Sequence, residues 1–391
     1  MKNNLQIIED IRKTLIRENR ELKDEEALKL IEDYIFENHI KSSLPYKKRA
    51  SFIKQVFYTL RRDLGILEEF REDDSVSEIM VNGKENIFIE KEGLIKKTDY
   101  CFESTEALEE VIIRLVAGVH REINELSPIV DARLKDGSRV NAVYKNVAVN
   151  GPVLTIRKFP KKNITMEALI RNKTITREGA DFLKKRVEEG YNILISGGTS
   201  SGKTTFLNVL ADYIPENERI IVIEDSLELK IDNIENIVRM EVRNKNQQGK
   251  GEVTMSDLIK TSLRMRPDRV IVGEVRGKEV LDMIQAMNTG HDGSLCTGHG
   301  NSIKGMLRRL EAMFLLAAPF PILAIRSQIA EAIDLMVHLK RLDKGVRKVV
   351  QIAELKPYLD GDFSLNVLFD YEMDKGLYKT NNALIKEKNK W

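Results

Sequence analysis

Cysteine is nearly absent from this sequence. The 391 residues hold two, Cys101 and Cys296, far apart and in no CxxC or His/Cys ligand spacing, which excludes a disulfide framework or a zinc site and fits a reducing compartment. Excess charge is lacking as well: 63 Lys plus Arg stand against 61 Asp plus Glu, a net charge of +2. No global field is available to hold a polyanion, so stable binding of nucleic acid is not expected. No apolar run reaches the roughly 20 residues that span a bilayer. The most apolar stretch, residues 312–325, is shorter and is broken by Pro319 and Pro321, and the acidic first dozen residues do not read as a secretory leader. The expectation is a chain that starts in the cytoplasm and touches a membrane only peripherally.

What is present is the profile of a folded protein with a charged surface: 42% apolar and 32% charged residues. The length predicts two or three domains. Residues 1–60 carry Ile7, Ile8, Ile11, Leu15 and Ile16 at helical spacing and read as two or three amphipathic helices. Over residues 61–159, short apolar runs at 78–81, 87–90 and 153–157 alternate with the turn signals Asn82-Gly83 and Asp136-Gly137, which predicts a mixed α/β domain. Residues 160–165 read as a linker. Residues 166–375 read as an α/β domain in which the apolar segments 193–196, 220–224, 270–272, 335–339 and 349–355 build a mostly parallel sheet flanked by helices. Residues 376–391 read as a charged tail.

The strongest signal is Gly197-Gly198-Thr199-Ser200-Ser201-Gly202-Lys203-Thr204, which fits the phosphate-binding pattern G-x-x-x-x-G-K-[ST]. A strand-like segment enters it and a helix-like segment beginning at Thr205 leaves it, the order such a loop requires. Glycines at 197 and 202 let backbone N–H groups turn inward around phosphates, and the helix N-terminus adds partial positive charge. Lys203 would neutralise the β- and γ-phosphates of ATP, and Thr204 would place its hydroxyl on Mg²⁺.

Two further strands end in carboxylates. Residues 220–225 close on Glu224 and Asp225, with Glu228 beyond, and residues 270–274 close on Glu274. Ligands sit outside the carboxyl ends of parallel strands, so one cluster can serve the metal and the other the attacking water. Glu274 is the choice for the water, with Glu228 the alternative. A third segment, residues 289–302, holds His291 and His299, two of only five histidines. A histidine at such a strand end can hydrogen-bond to the γ-phosphate and report its presence; a core histidine or a metal ligand are the other readings.

These segments, together with Arg264-Met265-Arg266-Pro267-Asp268 and Arg276-Gly277 around the second acidic strand, resemble the type II/type IV secretion ATPase superfamily. The similarity is greatest to the tight-adherence (Flp) pilus assembly ATPases, called CpaF, and it extends to residues 77–83, 127–134 and 151–159. The resemblance implies a homohexameric ring of subunits, each with an α/β N-terminal domain followed by a RecA-like ATPase domain. It implies that Glu274 is the Walker B glutamate, that Glu224, Asp225 and Glu228 form an aspartate box, that Thr204, Glu224, Asp225 and Glu274 are the metal ligands, and that His291 and His299 form a histidine box. It further implies that Arg133, Arg139 and Arg157 carry charge to the γ-phosphate, and that the partner is an inner-membrane platform protein. Gly298 and Gly300 stand where the family more often has larger residues, which predicts a looser loop around His299. A DNA-translocating motor of related fold and a nucleotide-binding scaffold that no longer hydrolyses are the competing readings. Near-neutral charge counts against the first and the full set of polar groups against the second.

Overall fold

The computed structural model describes residues 4–17, 22–38, 40, 45–91, 93–159, 164–243, 245, 250–342, 345–358 and 361–388. The chain divides into two compact units, Met1–Lys161 and Lys162–Trp391.

In the first unit, helices α1 (Asn4–Arg17), α2 (Asp24–Glu37) and α3 (Tyr46–Arg61) bury one face each. Ala27, Ile31 and Ile35 recur every fourth residue and meet Ile7, Ile11, Ile53 and Val56 in a small core, as a 3.6-residue period requires. The short α4 (Glu68–Glu72) leads into β1 (Val76–Asn82), β2 (Ile87–Lys91) and β3 (Leu94–Lys97). Then come α5 (Thr105–Ala117), β4 (Ile129–Arg133), β5 (Arg139–Val143) and β6 (Val153–Arg157). The six strands form an antiparallel sheet in the order β3-β2-β1-β6-β5-β4. Alternate residues such as Ile79, Val81, Leu154 and Ile156 point into one core with Leu108, Ile112 and Val116 of α5.

The second unit opens with α6 (Met166–Arg171), whose N-cap Thr165 accepts from the Ala168 amide at 3.3 Å. Of the expected linker, residues 160–163 lie outside the described residues. The unit continues with α7 (Arg177–Glu188), β7 (Ile193–Gly197), α8 (Lys203–Ala211), β8 (Ile220–Glu224), β9 (Ile237–Glu241), α9 (Met255–Ser262) and β10 (Arg269–Val275). After these come α10 (Val280–Asn288), β11 (Leu295–His299), α11 (Ile303–Ala317), α12 (Ile322–Ala332) and β12 (Leu335–Arg341). The strands β13 (Arg347–Leu355), β14 (Leu365–Glu372) and β15 (Gly376–Lys379) complete it. Nine strands run in the order β15-β14-β13-β12-β7-β11-β10-β8-β9. Those from β12 to β9 are parallel, with β7 between β12 and β11.

Both faces of this sheet are covered. Ile193, Ile195, Val222 and Val337 pack with Leu183, Phe206 and Leu210 on one side; Leu194, Ile223, Val272 and Met336 pack with Ile284, Leu307, Phe314 and Ile329 on the other. Strands buried on both faces have no polar side to show, which is why they read as continuous apolar runs.

Two expectations need correction. Residues 349–355 lie in β13, which is antiparallel to β12, because the few residues between Arg341 and Arg347 allow a hairpin but not a crossover. Residues 376–391 are not simply a tail. Gly376–Lys379 forms β15 against β14, and the Ile385 amide donates to the Glu354 carboxylate at 2.9 Å. Glu354 is 0% exposed, and a buried carboxylate must find donors; the segment after β15 brings them. Among the described residues no single helix is long and apolar enough to cross a membrane.

Candidate functional site

The loop between β7 and α8 is shaped by close approach. A Cβ on Gly197 would lie 2.6 Å from the Leu339 carbonyl of β12, so the strand can turn here only without a side chain. Gly202 sits at φ 92° as the residue before α8, a conformation that glycine adopts freely. Thr204 and Thr205 then occupy the first turn of α8, where unpaired amides and the helix dipole favour an anion. Behind the loop, the Ser196 hydroxyl is 2.9 Å from Nδ1 of His338 on β12. Burial, then the charges of Lys340 and Lys203, push the His338 pKa down to about 4, so this imidazole is neutral.

Three strands deliver side chains to the same end of the sheet. Lys203 Nζ donates to the Gly198 carbonyl at 3.1 Å and lies 3.3 Å from His299 Nδ1. On its other side, His299 Nε2 is 2.8 Å from Glu274 Oε1. Burial and then Lys203 lower the His299 pKa, with Glu274 opposing them. The imidazole has the lysine ammonium at Nδ1 and the glutamate carboxylate at Nε2. The lysine, histidine and glutamate thus form one chain of contacts from the phosphate loop to the end of β10.

The acidic segment behaves differently. Glu224, expected on the metal, is buried, and its carboxylate accepts from the Glu228 amide at 2.9 Å and the Leu229 amide at 3.1 Å. It pins the loop that follows β8, because a buried carboxylate at a strand end is drawn to the nearest amides. From α8, Asn208 Oδ1 holds the same loop through the Lys230 amide at 2.7 Å. Glu228 lies half-buried on this loop. Asp225 pairs with Arg276 at 2.5 Å, tying the end of β8 to the end of β10. Among the described residues no group of three or more His, Cys, Asp or Glu could hold a metal ion. Mg²⁺ in nucleotide sites takes one or two protein oxygens beside phosphate and water; the Thr204 hydroxyl and the Glu274 carboxylate are the oxygens that would hold it.

Beside the loop lies a pocket of about 260 Å³. Leu169, Phe206 and Val346 give it apolar walls, and Asn172, Thr205 and Arg347 give it polar groups. Arg347 Nε donates to the Ser200 carbonyl at 3.1 Å, fixing one edge of the pocket to the phosphate loop.

Residues 61–364 match the family of type II/IV secretion system proteins. The chain belongs to that family. The conjugal transfer protein TrbB of Rhizobium radiobacter is 32% identical over 307 residues, 78% of this chain and 91% of its own length. An uncharacterized protein of Methanocaldococcus jannaschii is 43% identical over 281 residues, 68% of this chain; this chain spans 39% of that relative's length. The ATPase DotB of Legionella pneumophila shares the fold, with a TM-score of 0.54 at 22% identity over 73% of this chain and 78% of that one.

Within this secretion-family chain the two histidines of the predicted box part company. His299 ends β11 beside the phosphate loop, whereas His291 precedes β11 at the opposite end, its Nδ1 3.2 Å from the Ala286 carbonyl at the close of α10. The other residues of β11 lie between them, so the two histidines do not meet in this structure. The glycines beside His299 do not loosen it either. A Cβ on Gly298 would lie 2.3 Å from Met306 Cε, so that strand position is flush against α11.

In the first unit, the three predicted arginines stand on one rung: Arg133 pairs with Arg139 across β4 and β5, and Arg139 with Arg157 across β5 and β6. Directly opposed residues share a face, and like charges so placed repel unless an anion or carboxylate joins them. Glu78 continues the rung beside Arg157 on β1, and Arg133 lies 6.0 Å over the Phe159 ring. Sequence reasoning missed Arg276 and Arg347 as site residues. Arg276 follows β10 closely enough to have been found; Arg347 carries no local signal.

Proposed function

We propose that this chain is the ATP-hydrolysing subunit of a homohexameric motor of the tight-adherence, CpaF-like kind. It would work on the cytoplasmic face of the inner membrane and drive pilus assembly or protein secretion through a membrane platform protein. The observation that carries the reading is the convergence of Lys203, His299 and Glu274 at the carboxyl end of the phosphate-loop strand.

Each group has a task that its surroundings favour. Lys203 and the amides opening α8 hold the β- and γ-phosphates of ATP, and the apolar pocket takes the base. Thr204 and Glu274 would hold Mg²⁺, which would supply positive charge against that developing on the phosphates. Glu274 accepts a hydrogen bond from the attacking water and orients it. His299 touches the lysine on one side and the glutamate on the other, so occupancy of the γ-phosphate site alters the contacts of β11. The arginine rung supplies cationic charge to the transferring phosphoryl group in the assembled ring. The test is Mg²⁺-dependent ATPase activity. Lys203→Ala should lower it by at least about a hundredfold and weaken nucleotide binding, because the phosphates lose their nearest cation. Unchanged binding and turnover in that variant would remove the assignment.

A second reading, a motor for DNA transfer, is favoured by the similarity to TrbB over nearly all of that protein. Stimulation of turnover by single-stranded DNA, lost as salt rises, would select it; a flat response keeps the secretion reading.

A further inference from the structure

Strand β10 does not pair evenly with β11. Val272 is opposite Cys296 and Val275 is opposite Gly298, so three steps on one strand match two on the other, and β10 holds one extra residue. The side chains agree. Val272 and Val275 both point into the core that contains Met283, Leu307 and Leu310, which simple alternation over an odd spacing forbids. A bulge of this kind bends its strand and re-aims a side chain. Here the re-aimed residue is Glu274, which turns from the α11 side of the sheet to meet His299 at 2.8 Å.

Two neighbours hold the bulge. A Cβ on Gly273 would lie 3.0 Å from Glu224 Cγ, so the position has no room to relax towards β8. On the other side, Thr297 of β11, 1% exposed, donates its hydroxyl to the Gly273 carbonyl at 2.6 Å. Thr297 and His299 are two residues apart and so share a face. The strand that presents the histidine therefore also fastens the peptide that presents the glutamate.

We propose that Thr297 is a positioning residue for ATP hydrolysis: its hydroxyl clamps the Gly273–Glu274 bulge and so sets where the Glu274 carboxylate stands. The proposal rests on the hydrolytic reading above. Without the hydroxyl, the buried carbonyl loses its donor, and Glu274 is free to swing away from the water it must orient while the phosphate loop stays intact.

Thr297→Val keeps the shape and removes the hydroxyl; Thr297→Ser keeps the hydroxyl. With thermal midpoints measured alongside, T297V should lose at least about tenfold in kcat with KM for ATP within about threefold, and T297S should stay near wild type. Wild-type kcat in T297V, or an equal loss in T297S, overturns the clamp. A wild-type protein that binds Mg·ATP without turning it over sinks the hydrolytic reading instead. The clamp is then judged by a crystal structure of T297V: Glu274 withdrawn from His299 supports it, and Glu274 still at the 2.8 Å contact overturns it.

Discussion

The two ends of the parallel sheet use the same residue types for opposite purposes. At the carboxyl end, Lys203, His299 and Glu274 touch in a row, with His299 and Glu274 each left 31% exposed. At the amino end, Lys386 and Lys388 reach Asp334 at 3.4 and 2.7 Å, and Asp334 also takes the Asn192 amide at 2.8 Å. There the carboxylate is only 3% exposed. Lys386 Nζ further donates to the Ala330 and Ile333 carbonyls, and Lys388 reaches Asp292 at 2.6 Å. One cluster is open and linked side chain to side chain, so a ligand can enter it; the other is closed by backbone groups and can only hold the fold. Position in the sheet, not residue type, separates an open lysine–carboxylate group from a closed one.

That contrast can be broken from either end. The largest effect belongs to Glu274→Gln, which keeps size but removes basicity and charge. ATP binding should hold within about threefold while turnover falls by at least about a hundredfold. Turnover near wild type would pass the role to Glu228. At the amino end, Asp334→Ala leaves two ammonium groups and the Asn192 amide without their carboxylate. The protein should lose about 3 kcal/mol of stability, read by denaturant unfolding, while the kcat of the folded fraction stays within about twofold because the sites are distant. A variant as stable as wild type would mean that the amino-end clamp is decoration.

Much of this was legible in the sequence where chemistry and backbone are set by the same few residues. The phosphate loop needs its glycines, its lysine and its flanking strand and helix all within one short stretch, and the structure keeps them together. Glu274 and Asp225 were legible as strand ends. The engagement of Glu224 by the amides of Glu228 and Leu229 was not legible, because those partners have no side-chain signature. That His291 and His299 lie at opposite ends of β11 was hidden, because the glycine-rich stretch conceals where the strand begins. The bulge at Gly273 was invisible, since Val-Gly-Glu-Val reads as uninterrupted strand and the partner that reveals the extra residue is about 25 positions away. The closing segment after β15 looked like a solvated tail because its anchor, Glu354, lies some 30 residues upstream in a different strand. Local patterns reveal loops and strand ends; they do not reveal which distant partner a charge will meet.

The most direct measurement uses two identical side chains flanking one strand. His299→Ala and His291→Ala should be compared in the same Mg²⁺-dependent ATPase assay, with thermal midpoints recorded for both. His299→Ala should reduce kcat by at least about tenfold, because the contact between lysine and glutamate is cut, whereas His291→Ala should stay within about threefold of wild type. Equal losses, or a greater loss at His291, would contradict the division of labour between the two ends of the sheet.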